Sequence, residues 1–263
     1  MIDFHNHILP NTDDGPKSIS ESIDMLRYAS EQGITKVINT VHYQHPKMDN
    51  KVITETILHQ KLDLLNNKLK KNKIDIKIYL ASEVFYLPNL TEIANIPFIT
   101  TMNKKYMLIE FSSLIFPENF ENEFFKLQNL GITPIIAHPE RYRYVKNDIS
   151  LLRRWLDLGY VLQIDAGSLI GNFGKNVKKI SFDIIEKHGI HLIGSDAHNN
   201  KKRNFCLKEA YDALESKYDI NIVNILQKNA EFLLEGKKMQ LIVVKQSDSL
   251  LSKIKGNFFK GIK

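Results

Sequence analysis

The sequence holds a single cysteine, Cys206, among 263 residues. One thiol excludes a disulfide framework and any structural zinc site built on cysteines. No apolar run approaches the ~18 residues of a membrane span. The opening Met1-Ile2-Asp3-Phe4-His5 lacks the basic and apolar regions of a secretory signal, so the cytoplasm is the expected compartment. There is no Walker-type glycine loop, which argues against nucleotide hydrolysis of that kind. Internal repeats and low-complexity segments are also missing. Even the net charge of +6 is absent from most of the chain. Residues 237–263 hold seven lysines against Asp248 alone, and residues 1–236 balance 29 basic against 29 acidic side chains. A neutral body argues against a nucleic-acid partner, which would call for a basic patch on the folded unit.

What is present is ordinary for a folded protein: 43% hydrophobic and 25% charged residues. The chain is long enough to bury a core without covalent staples. Short β-branched and apolar runs at 2–4, 36–40, 76–81, 106–111, 133–137, 161–164 and 191–193 alternate with helical patterns. Ser18-Ile19-Ser20-Glu21 has the form of a capping box, followed by Ile23, Leu26 and Ala29 and a stop at Gly33. Helical periods run through 57–69 and 120–130, and helices over 151–158 and 182–188 end at Gly159 and Gly189. Two closing helices are expected over 205–215 and 220–234. Residues 87–105 read as loop or weak helix. Strand–helix alternation predicts an α/β fold with a parallel sheet, and seven strands predict a distorted (β/α)7 barrel; an open doubly wound sheet is the alternative. The expected division is a barrel over 1–236 and a basic C-terminal appendage over 237–263.

The polar outliers fall in one place on this map. His5 and His7 follow the first strand, with Asp14 in the loop behind it. His42 follows the second, Glu83 the third, Glu110 ends the fourth, and His138 follows the fifth. Asp196 and His198 follow the seventh. All nine lie at the C-terminal rim of the expected barrel, where active sites of such folds are built. Each has a plain alternative taken singly: Asp14 can shape a turn before Gly15-Pro16, and Asp196 can cap a helix. Together they form a set of divalent-metal ligands. Nine are too many for one ion, and three ions sharing bridging carboxylates would use them. The other histidines, His45, His59, His188 and His191, fall outside the set.

These residues resemble the polymerase and histidinol phosphatase (PHP) superfamily, and within it the capsule-type bacterial tyrosine-protein phosphatases. The resemblance is carried by Met1-Ile2-Asp3-Phe4-His5-Asn6-His7, Asp13-Asp14-Gly15-Pro16, Thr40-Val41-His42 and Ser82-Glu83. It continues through Ile109-Glu110, His138-Pro139-Glu140-Arg141-Tyr142 and Ser195-Asp196-Ala197-His198, and covers residues 1 to about 235. It implies a distorted seven-stranded barrel with its metal site at the C-terminal rim of the parallel strands. It implies three metal positions: His5, His7, Glu83 and Asp196; Glu83, Glu110 and His138, bridged by Glu83; and Asp14, His42 and His198. Manganese stands first, with iron, magnesium or zinc able to suit the same N/O set. Arg141 and Arg203 match the phosphate-binding arginines, whose planar forks pair two phosphate oxygens at once. The plain alternative for Arg203, after two lysines, is a surface ion pair. Asp165 has no family match as a ligand and is expected to have a hydrogen-bonding or structural role.

The implied activity is that of a phosphoric monoester hydrolase, a metal-dependent protein-tyrosine phosphatase of exopolysaccharide and capsule synthesis. Metal-held hydroxide would attack the phosphate in line. The implied partner is a membrane-associated bacterial tyrosine autokinase. The alternative is a PHP-type phosphoesterase acting on a small monoester such as histidinol phosphate; a nuclease and a decayed scaffold are the other rivals. The cysteine route to the same reaction is excluded: it needs an arginine six residues after the thiol, where this chain has Asp212. In the tail, Leu250, Leu251, Ile254 and Phe258 fit one helical face among lysines. That is the pattern of a membrane-surface or partner-docking element. Gly256 and Gly261 interrupt it, and residues 242–244 can instead pack on the barrel.

Overall fold

A computed structural model describes residues 1–48, 53–101 and 103–244. Seven strands form one parallel sheet in sequence order: β1 (Ile2–Asn6), β2 (Lys36–Tyr43), β3 (Lys77–Phe85), β4 (Tyr106–Glu110), β5 (Thr133–Ile136), β6 (Val161–Asp165) and β7 (Leu192–Gly194). The seam between first and last strand closes just beyond β7. Asn6 bridges Ala197 in parallel, His7 N donates to Ala197 O, and Asp196 N donates to His5 O, both at 2.8 Å. The (β/α)7 barrel expected from the sequence is the fold, and the open-sheet alternative is not.

The helices follow the sequence signals closely. Ser18 Oγ caps Ile19–Glu31 by accepting from Glu21 N at 3.2 Å, while Glu21 Oε2 reaches back to Lys17 N at 2.8 Å. Helices Glu55–Lys71, Phe120–Asn129, Leu151–Asp157, Leu207–Lys217 and Ile220–Glu235 match the expected periods within two residues at most ends. The helix expected over 182–188 begins earlier, at Lys175. Its buried Val177, Ser181, Ile184 and Ile185 keep one face, which the intervening lysines obscure in the sequence. Within 87–105 only Leu90–Ile93 is helical, and the segment is tied down where Ser82 Oγ donates to Phe98 O at 2.9 Å.

The interior is divided along the barrel axis. Phe4, Ile38, Ala81, Leu108, Ile135 and Leu192 fill one inner cluster, which Leu233 of the last helix also joins. A larger apolar layer lies between strands and helices, with Trp155, Phe111, Phe120 and Phe124 among its fully buried members. The apolar filling leaves the C-terminal mouth to the polar side chains. In β1 the register slips between Asp3 and Asn6. His5 and His7, two residues apart, still share the face that meets Glu83, as strand alternation requires.

Residues 237–244 are not a free appendage. Tyr106 Oη donates to Lys237 O at 2.6 Å, Asn229 exchanges hydrogen bonds with Gln240, and Ile242 pairs antiparallel with Ile190. Gly189 sits at φ +89°, and a Cβ there would lie 2.5 Å from Ile242 O. The packed chain therefore runs past 236 to Val244. The apolar and basic face expected from residue 250 onward lies outside the described residues.

Candidate metal centre

The barrel mouth brings all nine expected rim residues together. His5, His7 and Glu83 face one another across β1 and β3: Glu83 Oε2 lies 3.2 Å from His5 Nε2 and 3.3 Å from His7 Nε2. Asp196 Oδ1 completes this group at 3.5 and 3.4 Å from the same two nitrogens. A second group joins His7 to Asp14, His42 and His198, with Asp14 Oδ1 3.1 Å from His198 Nε2 and 3.5 Å from His42 Nε2. A third joins His42, Glu83 and Glu110. The ligand atoms within each group lie within 4.8 Å of one another. His138 enters by Nε2, 3.0 Å from Glu83 Oε1 and 3.8 Å from Glu110 Oε1. His7 and His42 thus touch more than one group, beyond the partition implied by resemblance.

The donor atoms fit divalent cations. His5 Nε2, His7 Nε2, His42 Nδ1, His198 Nε2, Glu110 Oε2 and Asp196 Oδ1 are buried and have no hydrogen-bond partner. The nitrogens among them face carboxylate oxygens of the same mouth at 3.1 to 3.3 Å, and a cation between such donors would satisfy both sides. The outward nitrogens are fixed. His5 Nδ1 lies 3.0 Å from Gln163 Oε1, His7 Nδ1 2.8 Å from Asp13 Oδ2, and His198 Nδ1 2.8 Å from Asp196 O. Partners of this kind set ring orientation and leave Nε2 for the metal.

The electrostatics agree. Burial alone would lower the His5 pKa, but Glu83 and Asp196 outweigh it and hold it at about 9. Burial would raise Glu83, yet His5 and His42 keep its carboxyl well below the usual range. Glu110 is pushed up to about 8 by burial and by the charge of Glu83. His42 and His138 fall to about 4, chiefly through burial. His5 takes up charge to balance Glu83 and Asp196, while Glu110 stays protonated against Glu83; cations among these groups would relieve both.

Backbone strain gathers at the same mouth. His138 and Asp196 adopt φ of 32° and 48°, the left-handed region that non-glycine residues rarely occupy. Asp196 is shared between two roles. Its Oδ1 faces His5 and His7, while its Oδ2 accepts from Arg141 Nη1 and Arg203 Nη2, both at 2.6 Å. Arg203 therefore belongs to the mouth, not to a distant surface pair. Asp165 Oδ1 caps the short helix Ala166–Ile170 through Gly167 N at 2.7 Å, and its Oδ2 lies 3.3 Å from Arg141 Nη1. Its role is the hydrogen-bonding one expected.

Several contributors escaped the sequence reading. Asp13 accepts from His42 N and Gly15 N as well as facing His7. Its only signal in the sequence is adjacency to Asp14. His45, outside the expected set, joins the rim: its Nε2 lies 3.5 Å from Glu110 Oε2, with Phe85 edge-on to its ring. Asp3 is fully buried and accepts from His5 N and Ser195 N. Cys206 is buried, and burial raises its thiol pKa, as befits an unreactive core residue.

Residues 1–235 match the family model described as capsular polysaccharide synthesis, CpsB/CapC. Tyrosine-protein phosphatase YwqE of Bacillus subtilis is 38% identical over 90% of this chain and 92% of its own. Tyrosine-protein phosphatase CpsB of Streptococcus pneumoniae is 31% identical over 83% and 91%. A crystal structure from the pair YwqE and CpsB of those organisms, reported as metal-dependent tyrosine phosphatases, superposes with a TM-score of 0.86. It is 36% identical and covers 94% of this chain and all of that one. A histidinol phosphate phosphatase from Lactococcus lactis shares the fold at TM-score 0.50 and 15% identity, covering 82% and 92%. With its fold, its rim of histidines and carboxylates and 235 matched residues in agreement, the chain belongs to the CpsB/CapC family of tyrosine-protein phosphatases of capsule synthesis.

Proposed function

We propose that this chain hydrolyses phosphotyrosine in proteins, using divalent ions held by His5, His7, Asp14, His42, Glu83, Glu110, His138, Asp196 and His198. The observation that carries the reading is Asp196, whose two oxygens join the histidine cluster to both mouth arginines. When bound, the ions would lower the pKa of water and neutralise phosphate charge. Three ions suit nine ligands with Glu83 shared, and manganese is the first choice for this donor set.

The protein's own groups supply the rest. Arg141 and Arg203 are 25% and 32% exposed, so their guanidinium groups face both Asp196 and the open mouth. There they would pair the phosphate oxygens left free, strengthening their hold as charge builds in the transition state. Asp165 and the ring of Phe173, 4.8 Å from Arg141 Cζ, keep that guanidinium in place. A phenolate leaving group, with a pKa of about 10, departs without a strong general acid.

The substrate we assign is a membrane-associated bacterial tyrosine autokinase, met in the cytoplasm at the inner membrane face. No helix among the described residues is long and apolar enough to cross a membrane; the lysines of residues 237–263 would aid a peripheral approach. Vesicle co-sedimentation of the full chain against a truncation after Gln246 tests that contact. The activity is tested by elemental analysis paired with hydrolysis of a phosphotyrosine peptide and of histidinol phosphate, before and after chelation. Peptide hydrolysis that chelation abolishes is expected. Preference for histidinol phosphate would turn the reading to a small-molecule phosphoesterase.

A further inference from the structure

The connection from β4 to the helix Phe120–Asn129 shows three consecutive large apolar side chains to solvent. Leu114 and Ile115 are 70% and 72% exposed, and Phe116 is 40% exposed. Among the described residues no other exposed large apolar side chains adjoin in sequence. Single exposed apolar residues are normal on any surface, whereas a contiguous run marks an interaction site.

The run is held in place. Ser112 Oγ accepts from the N–H groups of Leu114 and Ile115, at 3.4 and 3.3 Å. Arg143 N donates to Ser113 O at 2.8 Å. The Phe116 ring stands edge-on to Tyr144 and Phe120, with centroids 5.2 and 6.0 Å away. These ties also fix where the run sits. It starts four residues after Glu110 and is pinned two residues beyond Arg141, so at ~3.6 Å per residue Leu114 lies within roughly 15 Å of Glu110. It borders the barrel mouth. On its other side Phe116 and Trp155 line a cavity of about 300 Å³ with Pro117, Phe120 and Leu151.

We propose that Leu114, Ile115 and Phe116 form an apolar ledge that docks an apolar side chain of the protein substrate beside its phosphotyrosine. The proposal rests on reading the chain as a protein phosphatase. A protein whose phosphate reaches Arg141 has its flanking residues near this margin, because Ser113 is tied to Arg143, two residues past Arg141. Residues 111–117 carry no charge, which suits an apolar side chain rather than an acidic flank. Glu118 follows directly and Glu121 pairs with Arg154 Nη2 at 2.6 Å, so residues 114–121 themselves offer no cation to an anionic bilayer. A second copy seated here would crowd the mouth that substrate must enter.

The test uses the full chain loaded with manganese and two synthetic phosphotyrosine peptides, one with leucine and one with serine on both sides of the phosphotyrosine. The wild type should favour the leucine peptide by about tenfold in kcat/KM, the scale of one apolar side chain leaving water. The double variant L114S/I115S should lose that preference and hydrolyse p-nitrophenyl phosphate as before. A variant that keeps the preference, or that loses the small ester equally, overturns the ledge. So does a wild-type oligomer that dissociates in the variant, which would assign the run to a second copy. Anionic-vesicle binding lost in the variant would assign it to the membrane. If the wild type hydrolyses neither peptide nor the small ester, the phosphatase reading itself falls and takes the ledge with it.

Discussion

Asp13 Oδ2 lies 2.8 Å from His7 Nδ1, and this bond leaves His7 Nε2 facing Glu83 and Asp196. The same carboxylate accepts from His42 N and Gly15 N, so one side chain ties the loop after β1 to the ends of two strands. An Asp13→Asn substitution keeps the shape but offers an amide that can donate where an acceptor is needed. Metal affinity should fall ~10–100-fold with the fold preserved, since outer partners of metal-bound histidines have effects of this size. A chelator competition titration reads it; unchanged affinity would reduce Asp13 to a loop-capping residue.

His138 approaches Glu83 and Glu110 from the far side of the mouth, on a strained backbone. Its ring contributes little to the apolar core, so His138→Ala should abolish phosphotyrosine hydrolysis while leaving the circular dichroism spectrum unchanged. Retained activity at full metal content would remove it from the ligand set.

Arg141 and Arg203 share Asp196 Oδ2, yet their proposed target is phosphate. Replacing either by alanine should leave metal stoichiometry intact and cut kcat/KM by orders of magnitude. A charge-assisted hydrogen bond is worth ~1.5–3 kcal/mol, and such contacts tighten in the transition state. Unchanged kinetics in Arg203→Ala would return that residue to a simple ion pair.

The sequence made the strands legible because β-branched runs and terminal glycines are local signals. The rim followed from the strands, since histidines and carboxylates at strand ends have few other uses in combination. Gln163 did not stand out. It is a polar residue inside β6 that bonds His5 across 158 positions of chain, a relation no local pattern encodes. His45 hides for a related reason: it lies two residues past the end of β2, and only the fold brings it beside Phe85 of β3 and Glu110 of β4. Arg203 reads as a surface cation after two lysines until the left-handed backbone at Asp196 brings the two together.

Gly194 ends β7 against β1, and a Cβ there would lie 2.6 Å from His5 Cβ. The strand crossing leaves no room for a methyl group, so Gly194→Ala must push β1 and its histidines aside. A destabilisation of ~1–3 kcal/mol is expected from overpacking, together with weakened metal binding because His5 moves. Thermal denaturation with and without manganese separates the two effects. A variant with wild-type stability and wild-type metal response would show that the seam can relax.

His191 stands at the start of β7, remote from the mouth, and is buried with Nδ1 accepting from Leu162 N at 3.2 Å. That bond needs an unprotonated nitrogen, and burial lowers the folded pKa to about 4. In the unfolded chain the same group titrates near 6.5. Below that pH the unfolded state takes up a proton that the folded state refuses. The contribution of His191 is therefore complete above pH ~6.5 and is lost progressively as the pH falls toward 4. Between pH 7 and 5 the loss amounts to about 2 kcal/mol. His191→Asn retains a side-chain acceptor without a titrating group. Its stability relative to the wild type should rise by that amount over the same interval, because every other buried histidine is common to both proteins. Urea unfolding at the two pH values measures the difference, and a constant gap would mean that His191 is protonated in the folded chain or that its bond to Leu162 is dispensable.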